Sequence, residues 1–366
     1  MRRPLPPVLL AAPSRYAGVS TAAARLCLAV LAAAVLASWT AFAAPAVPAG
    51  APGDGTDLQL YTGISDSLRH GGSFYPVTAD ALRSGGYPLR PFITFRLPTL
   101  AVVQGMLPPV IVTGLLYALA AGVFVAWFSR LRTAFARPLA RWAAMLLLAG
   151  GAVACWQAAL APFHEVWAGL LIALSLARHR PDRWAETVGW GLAAALIRET
   201  AALYLVVMLL LALREGTARE AGAWVAALIA LAVAVAAHAH AVGQVVGPLD
   251  PASPGWAGML GPGFPVRSWR AATALSLLPL GLAAPMVALA IGGWTAWRDP
   301  LGVRVATVLA AYAALLAVGA RADTFYWGLL TAPVLLIGLA FAPDALRDLT
   351  AAALDRRRIT VRRVVS

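Results

Sequence analysis

Long apolar runs are the feature that most constrains the fold of this 366-residue chain. A helix that crosses the hydrocarbon core of a bilayer needs roughly 20 predominantly apolar residues, and several runs approach that length. Only 12% of the residues are charged and the mean hydropathy is +0.76, values that a soluble domain of this size does not need. We therefore predict an all-α polytopic membrane protein with one integral domain, residues 1–341, and a basic cytoplasmic tail, residues 342–366.

Ten apolar runs, several of them short, are predicted to be membrane segments: 25–44, 109–129, 142–160, 163–177, 184–197, 200–213, 221–244, 271–296, 303–320 and 325–341. The fifth and sixth runs are interrupted only by the polar pair Arg198-Glu199. This stretch could form either one long helix or two short helices that are joined by a polar turn.

The distribution of arginines decides between these alternatives, because cytoplasmic loops are enriched in basic residues. With ten segments and a cytoplasmic N-terminus, most arginines fall on the cytoplasmic side. A single span over 184–213 divides them equally and leaves Arg198 inside the membrane. Two segments are therefore favoured, with both termini cytoplasmic and the loop 45–108 external. The same distribution accounts for the net charge of +13, so we expect a lipid bilayer as a partner and no nucleic acid.

The first apolar run also carries a feature of secretory signals. Residues 26–44 include Ala41-Phe42-Ala43, a small-residue pattern that is typical of cleavage sites. The run is long for a signal peptide and more segments follow it, so we favour an uncleaved signal anchor over a cleaved signal. Cys27 and Cys155 lie inside apolar runs and are expected to be core residues, not parts of a disulfide framework or metal site.

The external loop contains a predicted amphipathic helix at 57–70, in which apolar residues recur at helical spacing from Leu58 to Leu68. Asp57 at its start is either a helix cap or a general base at the membrane surface. One turn later, Tyr61 either shares the face of Asp57 or is an ordinary interfacial aromatic residue. We single out Asp57 as the candidate catalytic residue.

Further titratable residues are predicted on the same external side, and each has a structural alternative. Arg90 and Arg96 offer guanidinium groups that suit a phosphate, and contact with lipid headgroups is an equally good interpretation. Three polar pairs lie at predicted external turns, and each is a candidate for a binding site: His164-Glu165, Arg198-Glu199, and Arg321 with Asp323. The structural alternative is a helix cap for the first pair and an internal ion pair for the other two. Ionisable residues at membrane depth are costly, and their shared side suits an anionic, lipid-linked substrate.

The first segment, the long external loop and the pattern Asp57, Tyr61, Gly71-Gly72 and Tyr75 resemble the GT-C superfamily of integral membrane glycosyltransferases. The closest likeness is to the bacterial polyprenyl-phosphate-sugar-dependent branches, which include mannosyltransferase-like and cell-surface glycopolymer formation proteins. The resemblance implies a polyprenyl-phosphate-linked sugar as donor, a glycan or lipid of the cell envelope as acceptor, and the bacterial cytoplasmic membrane as location.

The resemblance also implies roles for individual residues. Asp57 would deprotonate the acceptor hydroxyl, and direct attack would invert the anomeric centre. Arg198, with Arg321 or Arg96, would stabilise the leaving phosphate. A divalent cation is a further candidate cofactor. No metal site is predicted within the protein, since His238 and His240 do not share a helical face.

Two other functions are compatible with the sequence. A transporter or flippase for lipid-linked glycans would have broken helices near the midplane of the membrane. Here the polar breaks cluster on one side and no inverted repeat is visible, which favours a one-sided enzyme. A non-catalytic subunit that assembles with partner proteins of a glycopolymer pathway is the other alternative, and it predicts that Asp57 is replaceable.

Overall fold

The computed structural model describes residues 6–46, 56–256 and 258–355. Helices make up 73% of the structure and no β-strand occurs in these ranges, which confirms the predicted all-α class. The α-helices of these ranges are α1 (Thr21–Ser38), α2 (Thr56–Arg69), α3 (Phe74–Ser84), α4 (Thr99–Met106), α5 (Pro109–Arg130), α6 (Pro138–Gly151), α7 (His164–Arg178), α8 (Trp184–Ile197), α9 (Ala202–Arg214), α10 (Ala218–Gly243), α11 (Gly263–Ala272), α12 (Leu280–Trp294), α13 (Pro300–Val318), α14 (Ala332–Leu335) and α15 (Ala342–Ala353).

Among the described residues, four helices are long and apolar enough to cross a membrane. They are α5, α10, α13 and the first helix together with the 3-10 turn that follows it, Thr21–Phe42. A fifth candidate is the pair Ala322–Leu330 and Ala332–Ala340, which is bent by 59°. The other predicted segments coincide with shorter helices of 13 to 15 residues, namely α6, α7, α8, α9 and α12. Ten crossings therefore stay a prediction.

The predicted break at Arg198 is confirmed. Helix α8 ends at Ile197, and Arg198 has an extended backbone with φ −139° and ψ 107°. Helix α9 then runs back beside α8. The close packing of the two helices is shown at Gly191, where a Cβ atom would lie 3.1 Å from a side-chain carbon of Leu205. In one straight helix these two residues would be about 21 Å apart along the axis. The hairpin places Arg198 at its turn.

Helix α7 is the central element of the bundle, and all of its residues from His164 to Ala177 are buried. It packs against α5, α8 and the 3-10 helix Ala322–Leu330. A Cβ atom at Gly169 would collide with the carbonyl of Leu329, so only glycine allows this close approach. This packing fixes the N-terminal end of α7, where His164 begins the helix.

A close crossing between α12 and residues 336–340 also depends on glycine. A Cβ atom at Gly338 would collide with the carbonyl of Ala290, and one at Gly293 would collide with the carbonyl of Gly338. We expect Gly338→Ala to lower the free energy of unfolding by about 1–3 kcal/mol, because the two backbones must move apart. Thermal denaturation in detergent measures this loss. Gly222→Ala in α10 is the control, since a Cβ atom there meets nothing within 4 Å. An equal loss in both variants would contradict the prediction.

The segment before α1 is bound by a buried carboxylate of α15. Three successive backbone N–H groups, from Val8 to Leu10, donate hydrogen bonds to Asp344 at 2.7, 2.8 and 3.0 Å. Helix α15 also packs against α1. The first part of the predicted tail 342–366 therefore belongs to the folded bundle, whereas residues 356–366 lie outside the described ones.

Candidate functional site

Helix α2 confirms the helix that was predicted at 57–70, and its ending depends on two glycines. The N–H of Gly71, whose φ is 92°, donates to the carbonyl of Leu68 at 3.0 Å, and the N–H of Gly72 donates to the carbonyl of Ser67 at 3.0 Å. This pattern satisfies carbonyl groups of the last helical turn and redirects the chain. Helix α2 then packs against α3 and α4, which form one wall of a cavity.

The cavity has a volume of about 480 Å³ and lies at the end of the bundle where α7 begins. Its other walls come from the turn before α7, from the loop that precedes α11 and from the segment after α13. Six of the predicted site residues line it: Asp57, Tyr61, Arg96, His164, Arg321 and Asp323. The fold thus brings together side chains that are far apart in the sequence.

Asp57 lies in the first turn of α2 and reaches the cavity from there. The hydroxyl group of Tyr87 donates a hydrogen bond of 2.7 Å to Asp57 Oδ1. Tyr87 itself lines the cavity and comes from the loop between α3 and α4. This hydrogen bond orients the carboxylate, which a general base requires.

Arg96 joins the cavity to the charged residues behind it. Its Nε donates to the hydroxyl of Tyr61 at 3.2 Å, and its Nη2 donates to the hydroxyl of Tyr326 at 3.4 Å. Its Nη1 lies 3.7 Å from Glu199 Oε1. Burial raises the pKa of Tyr61, against the opposing effect of the Arg96 charge, so Tyr61 is a neutral phenol at neutral pH. The guanidinium is therefore held at the cavity wall without being neutralised by Tyr61.

Arg198 forms the buried centre of a charged layer behind the cavity. Its Nε donates to Glu165 Oε1 at 2.5 Å, and its Nη1 donates to Glu199. The side chains of Arg198 and Glu165 are each only 1% exposed. With Arg96, this layer holds two positive and two negative groups, so its charges compensate one another. Glu165, Arg198 and Glu199 support the cavity wall and do not line the cavity.

Arg321 lies on the opposite wall of the cavity, in the segment after α13. Its Nε donates to Asp323 Oδ1 at 3.0 Å, and its Nη1 donates to Ser253 Oγ at 3.2 Å. Nη2 of Arg321 also donates to Asp323 Oδ2, so the ion pair is bidentate, and the side chain of Asp323 is 62% exposed. A phosphate that binds Arg321 in the cavity shares this guanidinium with Asp323.

Arg90 is the predicted site residue that lies away from the others. Its Nε donates to the backbone carbonyl of Asp250 at 2.8 Å, and it does not line the cavity. Asp250 in turn accepts hydrogen bonds of 2.8 Å from both Nε and Nη2 of Arg83. The N–H of Gly247 donates to the same carboxylate at 2.7 Å. Arg90 therefore takes part in a clamp between two loops, and its predicted contact with phosphate stays a prediction.

We expect Asp250→Asn to loosen this clamp at neutral pH. The hydrogen bond from Arg83, with that from Gly247, holds the pKa of Asp250 at about 2. These hydrogen bonds stabilise the ionised carboxylate and so lower its pKa. The clamp is therefore complete at neutral pH and is lost as the pH falls from about 4 towards 2, where the carboxylate is protonated. Hydrogen exchange should rise in residues 86–96 and 245–253. Asp80→Asn is the control, since Asp80 pairs with the same Arg83 but its side chain is 80% exposed. Equal exchange in the two variants would argue against the clamp.

The cavity residues that sequence reasoning missed include four polar or aromatic side chains on which the site depends: Thr78, Tyr87, Gln104 and Tyr326. Gln104 is buried and donates to the carbonyl of Ala161 at 2.7 Å, which ties α4 to the turn before α7. Only Tyr87 had a signal in the sequence, because it lies in a stretch that is rich in turns and aromatic residues. The other three occupy ordinary helical or apolar surroundings.

No group of three or more potential metal ligands occurs in the part of the chain that the structure describes. Comparison with protein-family models, with curated proteins and with solved structures finds no match to this chain. The function of the cavity must therefore be inferred from its own geometry and charges.

Proposed function

We propose that this protein is a membrane glycosyltransferase that moves a sugar from a polyprenyl-phosphate donor to a glycan or lipid of the cell envelope. The observation that carries the proposal is the cavity in which the carboxylate of Asp57 shares walls with Arg96 and Arg321. A carboxylate can accept the proton of an attacking hydroxyl, and guanidinium groups can bind a phosphate that leaves. Both tasks are needed in one place for glycosyl transfer from a phosphate.

In the proposed reaction, an acceptor hydroxyl enters the cavity beside Asp57. Asp57 takes its proton as the oxygen forms a bond to the anomeric carbon of the donor sugar. The bond between that carbon and the phosphate oxygen breaks, and its electron pair stays with the phosphate. Arg96 and Arg321 stabilise the charge that develops on the phosphate. Attack on the face opposite the phosphate inverts the anomeric centre.

The charged layer behind the cavity contributes to this chemistry by positioning Arg96. Arg198 holds Glu165 and Glu199, and Glu199 in turn lies beside Arg96. Because the layer is nearly neutral as a whole, it does not itself attract an anion strongly. It orients Arg96, whose guanidinium faces the cavity with two tyrosine hydroxyls as its neutral partners.

The proposal includes a location and a topology. We infer ten membrane segments in a GT-C-like arrangement within the bacterial cytoplasmic membrane, with both termini cytoplasmic and the cavity on the external side. The apolar helices and the arginine distribution support this arrangement. The donor's prenyl chain would then remain in the bilayer while its phosphate reaches the cavity.

Reconstitution distinguishes this function from a transporter or flippase. The purified protein in liposomes would be given undecaprenyl-phosphate-linked hexoses that are labelled in the sugar, with envelope glycan extract as acceptor. A glycosyltransferase cleaves the bond between sugar and phosphate and moves the label to the extract. Movement of the intact lipid across the bilayer without cleavage would overturn the enzymatic function and favour a flippase.

A further inference from the structure

His164 and Thr78 are two cavity residues with unused hydrogen-bonding capacity. Their exposed fractions are 2% and 4%, so they are almost fully buried. Both ring nitrogens of His164 and Oγ1 of Thr78 lack a hydrogen-bond partner among the residues that the structure describes. Buried polar groups in folded proteins are nearly always paired, so each unpaired group needs an explanation. Both side chains line the cavity, where a ligand can reach them.

Other buried polar residues of the same cavity differ, because the protein satisfies them. Ser65 Oγ donates to Gln104 Oε1 at 3.2 Å, and Gln104 Nε2 donates to the carbonyl of Ala161 at 2.7 Å. Thr324 Oγ1 both accepts from and donates to the backbone of Arg321. The unused capacity is therefore a property of His164 and Thr78 and not of the whole wall.

The chemistry of these two groups selects a kind of ligand. An uncharged imidazole has one N–H donor and one acceptor nitrogen, and a threonine hydroxyl both donates and accepts. Hydroxyl groups of a ligand have the same dual character, whereas a phosphate offers only strong acceptors and suits the arginines. The ring of His164 is held edge-on against Tyr61, with ring centroids 5.0 Å apart, so its orientation is fixed before a ligand binds.

We propose that His164 and Thr78 bind hydroxyl groups of the donor's sugar, and this inference rests on the proposed function. The phosphate would lie towards Arg96 and Arg321, and the sugar would lie where the uncharged groups are. The two residues thereby recognise the carbohydrate part of the donor separately from its lipid phosphate. They are binding residues for the sugar and take no part in bond breaking.

The test compares two probes on the purified full chain in lipid nanodiscs. One probe is undecaprenyl phosphate, and the other is a panel of undecaprenyl-phosphate-linked hexoses. Binding is followed by tryptophan fluorescence, because Trp256 lines the cavity. The variants are His164→Phe, which keeps an aromatic ring against Tyr61, and Thr78→Val, which keeps the shape of the side chain. Each variant replaces the polar atoms with apolar ones, and His164→Phe also adds some volume.

The expected result is a selective loss. Each variant should weaken binding of the best glycosylated probe by about tenfold, which corresponds to one lost hydrogen bond, and leave binding of undecaprenyl phosphate unchanged. Thermal unfolding without ligand gives a second readout. Because the replaced atoms have no partner in the protein, the melting temperature should stay the same or rise. A lowered melting temperature with unchanged binding would assign the two residues to the fold and overturn the proposal.

The chain offers matched controls outside the cavity. His238 is 4% exposed and its Nε2 has no partner among the described residues, and Thr187 is fully buried with an unpaired Oγ1. His238→Phe and Thr187→Val should leave the binding of both probes unchanged. An equal loss in the controls would refute a local role of His164 and Thr78.

Failure of this inference can be told from failure of the proposed function. A wild-type protein that binds undecaprenyl phosphate as tightly as every glycosylated probe would overturn the sugar contacts and leave the phosphate site intact. A wild-type protein that binds neither probe would overturn the proposed function, and the sugar contacts would fall with it.

Discussion

Replacing Asp57 with asparagine is expected to abolish surface glycan in a deletion strain that is complemented with the variant. Asparagine keeps the size of the side chain and an oxygen that can accept the hydrogen bond from Tyr87. It cannot accept a proton, so the transfer rate should fall by about 10²–10⁴-fold. The measurement is the amount of envelope glycan, normalised to the amount of each protein in the membrane fraction. Normal membrane levels are expected because Asp57 is only partly buried.

Asp80→Asn is the matched control for this experiment. Asp80 is another carboxylate of the same loop, and its side chain is 80% exposed and lies outside the cavity. Its replacement should leave the glycan unchanged. Full rescue by Asp57→Asn would refute the role of Asp57 as general base, and it would favour the transporter or the non-catalytic assembly subunit.

Replacing Arg198 with methionine is expected to produce the largest loss of stability. The guanidinium is 1% exposed and pairs with Glu165 and Glu199, so its removal leaves a buried carboxylate without its counter-charge. Removing one partner of a buried ion pair costs about 3–5 kcal/mol, a large part of the stability of a typical domain. Thermal denaturation in detergent and the amount of protein in the membrane both measure this loss.

A second substitution tests the physical reason for that loss. Arg198→Met combined with Glu165→Gln removes both charges, so the double variant should regain a large part of the stability that the single variant loses. Arg178→Met is the control, because Arg178 pairs with Glu186 at 3.6 Å and both side chains are about half exposed. Its cost should be below about 1 kcal/mol. A cost for Arg198→Met no greater than this would contradict the buried-pair interpretation.

Local patterns in the sequence predicted the helices and part of the site. The all-α class follows from apolar runs whose lengths alone exclude most other folds. The helix that begins near Asp57 follows from apolar residues that recur at helical spacing. The break at Arg198 follows from the arginines of the whole chain, since a single span over 184–213 would divide them equally between the two sides of the membrane. For the helices the determining residues are neighbours in the chain, and for the break they are residue types that can be counted along it.

Contacts between distant residues could not be predicted in this way. Tyr87 reaches Asp57 across thirty positions, and the Arg83 side chain meets Asp250 across 167 positions. Nothing in the sequence around either partner depends on the other, so no local pattern reports the contact. Arg90 is a further example. Its guanidinium group suits a phosphate, and the sequence does not report that the fold pairs it with the backbone carbonyl of Asp250. Thr78 has no feature in the sequence that separates it from an ordinary helical threonine.

The hydrogen bonds from the backbone of Val8 to Leu10 to Asp344 can form only late in the synthesis of the chain. A ribosome makes these three residues more than 330 residues before it makes their partner. The intervening helices can enter the membrane one after another before the backbone of Val8 to Leu10 has the Asp344 carboxylate to bind. The bundle can therefore close only after α15 has been made, and a nascent chain that stops before α15 lacks the carboxylate that binds the backbone of Val8 to Leu10.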